Sequence, residues 1–289
     1  MLPRAVGDIQ VSRVVEIEIY PLDAFAMLPA MTPEQFARHR PLLDPYYADY
    51  ANKILRLSIH AYVVRTAHHT ILIDTCFGNH KNRGTALSNN LDTPWLDDLK
   101  KAGVTPEQVD YVLCTHLHGD HVGWNTRLSD GRWVPTFPNA RYVFTRLDFE
   151  DRRTVKDRPG VSGSFEDSVL PIVEAGQAVL VDDGYQIDDH IWVEITPGHS
   201  PGHGCIHLRS RGRHAMFTGD ILHHPIQVYE PGLSSRACAD PWLATATRRQ
   251  VLERLAETDT LLLPAHFRSP SGGLIRRAGD GYRLIWTEG

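Results

Sequence analysis

The chain has 289 residues, of which 42% are apolar and 22% charged, with a net charge of −5 at neutral pH. This is the length and composition of a soluble globular protein with a sizeable core. The negative balance excludes the basic surface that nucleic-acid binders carry, and no run of about 18 apolar residues is present to cross a membrane.

The opening run, Met1 to Asp8, has no apolar stretch of the kind a secretory signal needs. Residues 9–20 then alternate, with Val15, Ile17 and Ile19 on one face and Glu16 and Glu18 on the other, which predicts a half-buried strand. Leu55, Leu57, Ile59, Ala61 and Val63 repeat the pattern over 55–65. Between them lies an insertion at about 21–54, longer than a plain connection requires. Within it, Thr32-Pro33-Glu34-Gln35 is a capping box with proline at the first helical position, and Phe36, Tyr46 and Tyr47 follow. Phe25, Met27, Leu28 and Met31 are more apolar material than a surface loop uses. The segment reads as a lid over an apolar pocket, with Phe25, Met27 and Tyr50 as pocket residues; the competing reading is scaffold packed on the sheet.

Ile71-Leu72-Ile73 is a strand ending at Asp74, and Thr93-Pro94 opens a helix that stops near Gly103. Thr105-Pro106-Glu107-Gln108 is a second capping box, leading into the buried strand Val112-Leu113-Cys114-Thr115. Residues 124–140, with Asp130-Gly131 and Pro135, form a hairpin or loop, and Phe144 sits on a short strand. From Ser164 to Ala175, Phe165, Val169, Ile172 and Val173 have helical spacing, interrupted by Pro171. Asp240-Pro241 caps a long helix to about Glu257, with Val251, Leu252 and Leu255 inward and arginines outward. The tail turns back at Ala278-Gly279-Asp280-Gly281 as a closing hairpin. Four widely spaced cysteines, Cys76, Cys114, Cys205 and Cys238, show no CxxC pattern and read as small buried residues, which fits a reduced, cytoplasmic compartment.

Residues 116–121 read His-Leu-His-Gly-Asp-His. Three imidazoles and a carboxylate in so short a stretch are metal-ligand chemistry, and nitrogen with oxygen donors suits zinc, with iron or manganese as alternatives. His116 and His118 are two apart, so on an extended chain they point to one side. Asp120 and His121 follow in the turn, where the chain can wrap round a second ion. Three more strand-like runs lead to residues of the same type: Trp192–Ile195 precedes Thr196-Pro197-Gly198-His199, Phe217-Thr218-Gly219 ends at Asp220, and Leu261–Ala265 ends at His266. Strands that stop at His or Asp place those side chains on one rim of a sheet, where α/β architectures usually put their chemistry.

The HxHxDH run, followed in order by TPGHxxGH, TGD and a late PAH, resembles the metallo-β-lactamase-fold hydrolase superfamily, and Ile71–Thr75 is similar to that family's early strand ending in Asp. The resemblance implies an α/β fold, a four-layer αββα sandwich, as a single domain over 1–289. It implies one metal held by His116, His118 and His199 and a second by Asp120, His121 and His266, with Asp220 bridging them. Asp74 would orient neighbouring ligands, or, from the residues alone, cap a turn. His203 would support its loop. Of the sixteen histidines, His39, His60, His68, His69, His80 and His190 lie outside every motif and read as surface or half-buried, and His207 and His214 as solvent-facing. His223 follows Asp220 by three residues, where related lactonases often carry a hydrogen-bonding group near the substrate, and is a candidate for a catalytic pocket role; His224 is a weaker one.

The implied reaction is hydrolysis by a hydroxide bridging two divalent ions, zinc first, with manganese, iron or cobalt as alternatives. Asp120 would orient the hydroxide and accept its proton. No GxSxG nucleophile motif is present. Asp220 stands where the named β-lactamases usually carry Cys or Ser, little chain remains after His266 for the C-terminal domain of glyoxalase II, and neither the insertions of the RNA-processing nucleases nor the flavin domain of the flavodiiron proteins is visible. The run from Gly219 to Gln227, Gly123-Trp124-Asn125 and the N-terminal insertion resemble the lactonase and organophosphate-hydrolase branch. The expected substrate is a lactone or other carboxylic ester, N-acyl-homoserine lactones first, which would make the protein quorum-quenching. The alternatives are a phosphotriesterase or arylesterase with the same site, a mononuclear iron oxygenase acting on a thiol persulfide, and a non-catalytic binding or sensor protein. The expected partner is that small molecule, with no nucleic acid and no membrane; a homodimer would match the habit of similar proteins.

Overall fold

The computed structural model describes residues 4–155 and 163–287, so Met1-Leu2-Pro3 of the opening run lies outside the described residues. Strands β1 (Arg4–Val6) and β2 (Ile9–Asp23) form a hairpin. Short helices α1 (Ala24–Met27), α2 (Pro33–Arg38) and α3 (Arg40–Leu43) and the two-residue β3 (Ala48–Asp49) lead to β4 (Ile54–Arg65) and β5 (Thr70–Ile73). Helix α4 (Trp95–Lys101) is followed by a 3-10 turn at Pro106–Gln108 and by β6 (Tyr111–Leu113). The single helical turn α5 (Gly119–Val122) and the small hairpin of β7 (Thr126–Ser129) and β8 (Arg132–Pro135) precede β9 (Arg141–Thr145) and α6 (Arg146–Val155). A π-helical turn at Phe165–Val169 runs into α7 (Leu170–Glu174) and β10 (Ala178–Val181). The second half contains β11 (Ile191–Ile195), β12 (Gly204–Ser210), β13 (Arg213–Gly219), α8 (Ile226–Tyr229), α9 (Pro241–Ala256), β14 (Leu261–Pro264), β15 (Gly273–Ala278) and β16 (Gly281–Trp286).

Two sheets result. The first runs β1-β2-β4-β5-β6-β9-β10, with β3 added on β4; the second runs β11-β12-β13-β14-β15-β16. Side-chain alternation explains why they stack as the inner layers of an αββα sandwich. On β5, Ile71 and Ile73 join a cluster that also holds Phe217 and Leu263 of the second sheet, while Leu72 joins the outer cluster with Trp95 and Leu99 of α4. On β13 and β14, Phe217 and Leu263 face inward, and Met216 and Leu262 pack outward with Val251, Leu252 and Leu255 of α9. Strands buried on both faces read as continuous apolar runs, and the period of two sorts those runs into separate layers. Among the described residues no helix is long and apolar enough to cross a membrane.

Both capping boxes form, at Thr32 and Thr105, and Asp240 caps α9. Asp130 and Gly131 both take positive φ in the β7–β8 turn, as tight hairpins favour. All four cysteines are buried and free.

Several expectations need correction. β2 continues to Asp23 and pairs with Ile54 of β4, so the inserted segment itself is 24–53. Register shifts after Val15 and Ile17 break the alternation: Ile19 is exposed, and the Glu16 carboxylate turns inward to accept from the Phe77 and Gly78 amides. The 164–175 segment is a π-helical turn plus a short helix started by Leu170-Pro171, and Val173 is exposed. His39, His60 and His207 are buried; His207 stacks on Trp192 and bonds Glu194 at 2.6 Å.

Arg248, on α9, is not outward but fully buried. Its Nε donates to Ile221 O at 2.7 Å and its Nη1 to Pro231 O at 3.0 Å, which ties down the chain that follows Asp220. Arg248→Ala would strand those carbonyls and leave a cavity, so it is expected to lower unfolding stability by about 3 kcal/mol in a denaturant titration; a change under about 1 kcal/mol would show that the guanidinium is dispensable.

Candidate metal centre

The rim residues come from both sheets. β5 ends at Asp74, β6 leads into His116–His121, β11 into the 196–203 loop, β13 into Asp220 and β14 into His266. Their side chains converge into two groups, each with donor atoms within 4.8 Å of one another: His116, His118, His199 and Asp220, and Asp120, His121 and His266.

In the first group, His199 Nε2 lies 3.1 Å from His116 Nε2 and 2.9 Å from His118 Nδ1. In the second, His266 Nε2 lies 3.3 Å from His121 Nε2 and 3.5 Å from Asp120 Oδ2. Asp220 stands between them. Its Oδ2 is 3.1 Å from His199 Nε2 and 3.6 Å from His116 Nε2, while its Oδ1 is 3.0 Å from His266 Nε2 and 3.4 Å from His121 Nε2.

The outer nitrogens of four of these five rings are occupied. His121 Nδ1 donates to Asp74 Oδ2 at 2.9 Å, and His266 Nδ1 to Ser58 O at 3.1 Å. Thr115 Oγ1 donates to Asp74 and is left to accept from His116 Nδ1 at 3.1 Å. His199 Nδ1 meets Cys238 Sγ at 3.6 Å. With protons on the outer nitrogens, the lone pairs of the inner ones converge on a shared space. Imidazole lone pairs cannot satisfy one another, and the buried Asp220 Oδ1 has no hydrogen-bond partner. A cation answers both needs, so the donor set fits a metal, and its nitrogen and oxygen character fits zinc, manganese, iron or cobalt.

The electrostatics distinguish the two groups. Burial lowers His116 well below the ordinary imidazole value and takes His199 to about 3 and His203 to about 4. Burial would raise the Asp220 carboxyl, but His223, His266, His121 and His199 around it outweigh that and hold it well below the usual range. Burial opposes charge on His121 too, yet Asp220, Asp74 and Asp120 raise it well above its usual value.

His203 does support its loop: its Nε2 accepts from the Asp220 amide at 3.0 Å and its Nδ1 meets Thr196 Oγ1 at 2.9 Å. His223 is buried with its Nε2 3.2 Å from Asp220 Oδ2, and neither ring nitrogen has a hydrogen-bond partner. His224 has a different task, since its Nε2 donates to Tyr47 O at 2.8 Å and joins the insertion to the Asp220 loop. Phe25 packs edge-on against Phe36, which stacks on Tyr50, and Met27 is buried. Among the described residues no hydrogen bond or ring contact joins Phe25, Met27 or Tyr50 to the seven donors. Sequence reading missed Glu16, Asp148, Gln227 and Cys238, which hold the ligand loops. None was assigned that role from sequence, although Gln227 closes the Gly219–Gln227 run, because only the tertiary partners reveal it.

The chain matches the Metallo-beta-lactamase superfamily over residues 55–266. The chain belongs to the metallo-beta-lactamase superfamily. Among curated relatives, it is 22% identical over 170 residues to an N-acyl homoserine lactonase of Bacillus thuringiensis, covering 55% of this chain and 61% of that one. It is 32% identical over 132 residues to the N-acyl homoserine lactonase AttM of Azorhizobium caulinodans, covering 41% and 43%. The matched stretch thus spans less than two thirds of either relative's length. Solved structures match end to end. The hydrolase AbOPH is 26% identical with a TM-score of 0.80, and the dizinc quorum-quenching lactonase AidC 19% identical with a TM-score of 0.77; each match covers 98% of this chain and 96% of the other. The likeness to AidC is one of fold.

Burial takes His224 from 6.5 to about 4. Below pH 6.5 the unfolded chain binds a proton there that the folded one does not, so this contribution is whole above 6.5 and drains away towards 4. At pH 5 the loss is about 2 kcal/mol. His224→Gln does not titrate, so the stability advantage of the unsubstituted protein over this variant is expected to be about 2 kcal/mol smaller at pH 5 than at pH 7.5. An equal difference at both pH values would show that His224 is not held neutral.

Proposed function

We propose that the protein is a dinuclear metal-dependent hydrolase of lactones or other carboxylic esters, with N-acyl-homoserine lactones as the leading class. The observation that carries this reading is Asp220, whose two carboxylate oxygens face two separate groups of converging donors. The lactonase relatives point the substrate class in the same direction.

His116, His118 and His199 would hold one ion, Asp120, His121 and His266 the other, and Asp220 both. When bound, such a pair supplies a hydroxide nucleophile at neutral pH and polarises the substrate's carbonyl oxygen. The chain's own groups do the rest. The Asp120 side chain is about a quarter exposed, more open than the other second-group donors, and its Oδ2 can take a proton from water at the mouth. His223 has two unpartnered nitrogens beside Asp220 and can donate to a substrate or leaving-group oxygen. Phe25, Met27 and Tyr50 would receive an acyl chain, and the buried Tyr50 hydroxyl, also without a partner, is free for a polar group along it. The completeness of the second group argues against a mononuclear iron oxygenase.

The purified protein is expected to carry about two zinc or manganese ions per chain and to release acid from lactones in a pH-indicator screen that also contains aryl esters and phosphotriesters. One iron per chain and no hydrolysis would overturn the reading. His118→Ala and Asp120→Asn should each lower kcat/KM by at least about 100-fold, and full turnover by either would sink the two-ion mechanism. For the pocket, Met27→Ala is expected to raise KM for long-chain acyl lactones about five-fold more than for short ones, the effect of about 1 kcal/mol of apolar contact. Equal effects at all chain lengths would make the insertion scaffold only.

A further inference from the structure

The donors sit on loops, and two carboxylates outside the donor set tie those loops together. Glu16 is the extra residue of a β-bulge: Val15 pairs with His60 and Ile17 with Ile59, so nothing on β4 stands opposite Glu16. The bulge turns its carboxylate inward. There it accepts from the Phe77 amide at 2.8 Å, the Gly78 amide at 3.1 Å, Trp124 Nε1 at 2.7 Å and Thr93 Oγ1 at 3.4 Å.

Three of these donors, Phe77, Gly78 and Trp124, lie on two stretches of chain that meet at the second group. Asp74, which orients His121, begins the loop that Phe77 and Gly78 close, and Trp124 follows Asp120-His121 by three residues. The stretches are laced together: Thr75 N donates to His121 O at 2.7 Å, Gly123 N to Cys76 O at 2.7 Å, and Trp124 N to Thr75 O at 2.8 Å. They lie so close that a Cβ on Gly123 would fall 1.8 Å from Phe77 O. Within the loop Asp74 and Cys76 take φ of 57° and 54°, a region that non-glycine residues avoid. A loop so bent relies on hold from outside, and Glu16 grips both stretches at once.

Asp148, near the start of α6, does the equivalent for the first group. It is buried, and its Oδ2 accepts from the Leu117 amide at 2.7 Å, between His116 and His118. Its Oδ1 accepts from the Gly202 amide at 3.3 Å, on the loop that presents His199. Thr145 Oγ1 donates to Gly202 O at 2.6 Å and seals the same junction. Burial pushes both carboxyls up, Glu16 to about 7, so each stays inside at the expense of its own ionisation.

We infer that Glu16 and Asp148 are positioning residues that divide the centre between them: Glu16 sets how tightly the Asp120–His121–His266 group holds its ion, and Asp148 sets it for His116–His118–His199. The inference rests on the two-ion reading above. Its consequence is that the two ions can be loosened one at a time by substitutions that remove no ligand.

The test is zinc release from the loaded protein during a chelator titration, with the cobalt-substituted absorption spectrum to show which group remains filled. His266→Ala and His199→Ala supply the reference spectra for an emptied second and an emptied first group. The unsubstituted protein should release two equivalents. Glu16→Gln should release one of them about 10-fold more readily and leave the other unchanged, with a residual spectrum like that of His266→Ala. Asp148→Asn should do the converse and match His199→Ala. If either variant does not fold, Trp124→Phe, which removes one donor to Glu16, and Asp148→Glu, which displaces the carboxylate by a methylene, carry the same expectations. Release unchanged, both ions loosened together, or the same ion loosened in both variants would overturn the division and leave the two-ion reading standing. An unsubstituted protein that takes up fewer than two zinc ions would instead overturn that reading.

Discussion

One shared carboxylate sets the terms for this fold. Asp220 can face both donor groups only if strands from two different sheets end at one rim and are held there together. The sheets meet through an apolar interior, and a few polar contacts fix their relative position at the rim. Ser58 of β4 donates its amide to His266 O at 2.9 Å and accepts from the His266 ring through its own carbonyl. Tyr62, also on β4, donates to Pro264 O at 2.8 Å across the same junction. The first sheet thus grips the residue that the second contributes, and the grip determines the gap that Asp220 spans.

Within that frame the first group and Asp220 are held in a state suited to a cation. Burial disfavours charge on His116 and His199, which leaves their lone pairs free, while the surrounding imidazoles keep Asp220 ionised. Outer acceptors of differing strength fix the ring orientations: the Asp74 carboxylate for His121, a carbonyl for His266, a hydroxyl for His116 and a thiol for His199. An imidazole that donates to a carboxylate is a more basic ligand than one that donates to sulfur. The two groups therefore differ in donor strength as well as in composition.

The donors were legible in the sequence because their chemistry and spacing are local: His116 to His121 are contiguous, and the other donors each follow an apolar strand. The layers were legible for a similar reason, since period-two runs record burial directly. What escaped depends on tertiary partners. Glu16 was placed on the wet face because counting by twos assumes an unbroken ladder, and the bulge at Glu16 breaks it. Arg248 and His207 were read as surface groups, and His60 as surface or half-buried, because their types usually are. They are buried because Ile221 O, Ser58 Oγ and Glu194 wait for them inside, and nothing in the local sequence announces such partners.

The insertion between β2 and β4 shows how far a segment can be both wall and scaffold. Tyr47 stacks on Trp286 with rings 4.8 Å apart and 3° from parallel, its hydroxyl donates to Ser269 O at 3.2 Å, and its carbonyl takes the proton of His224. Arg268 donates to Tyr46 O, and the Arg236 amide to Met27 O. Of these partners, His224 lies just after Asp220, and Arg268 and Ser269 lie just after His266. Swinging the insertion away would break its bonds to both ligand loops, which couples its position to that of the donors. The contacts that shape this wall are thus the ones that steady the loops carrying Asp220 and His266.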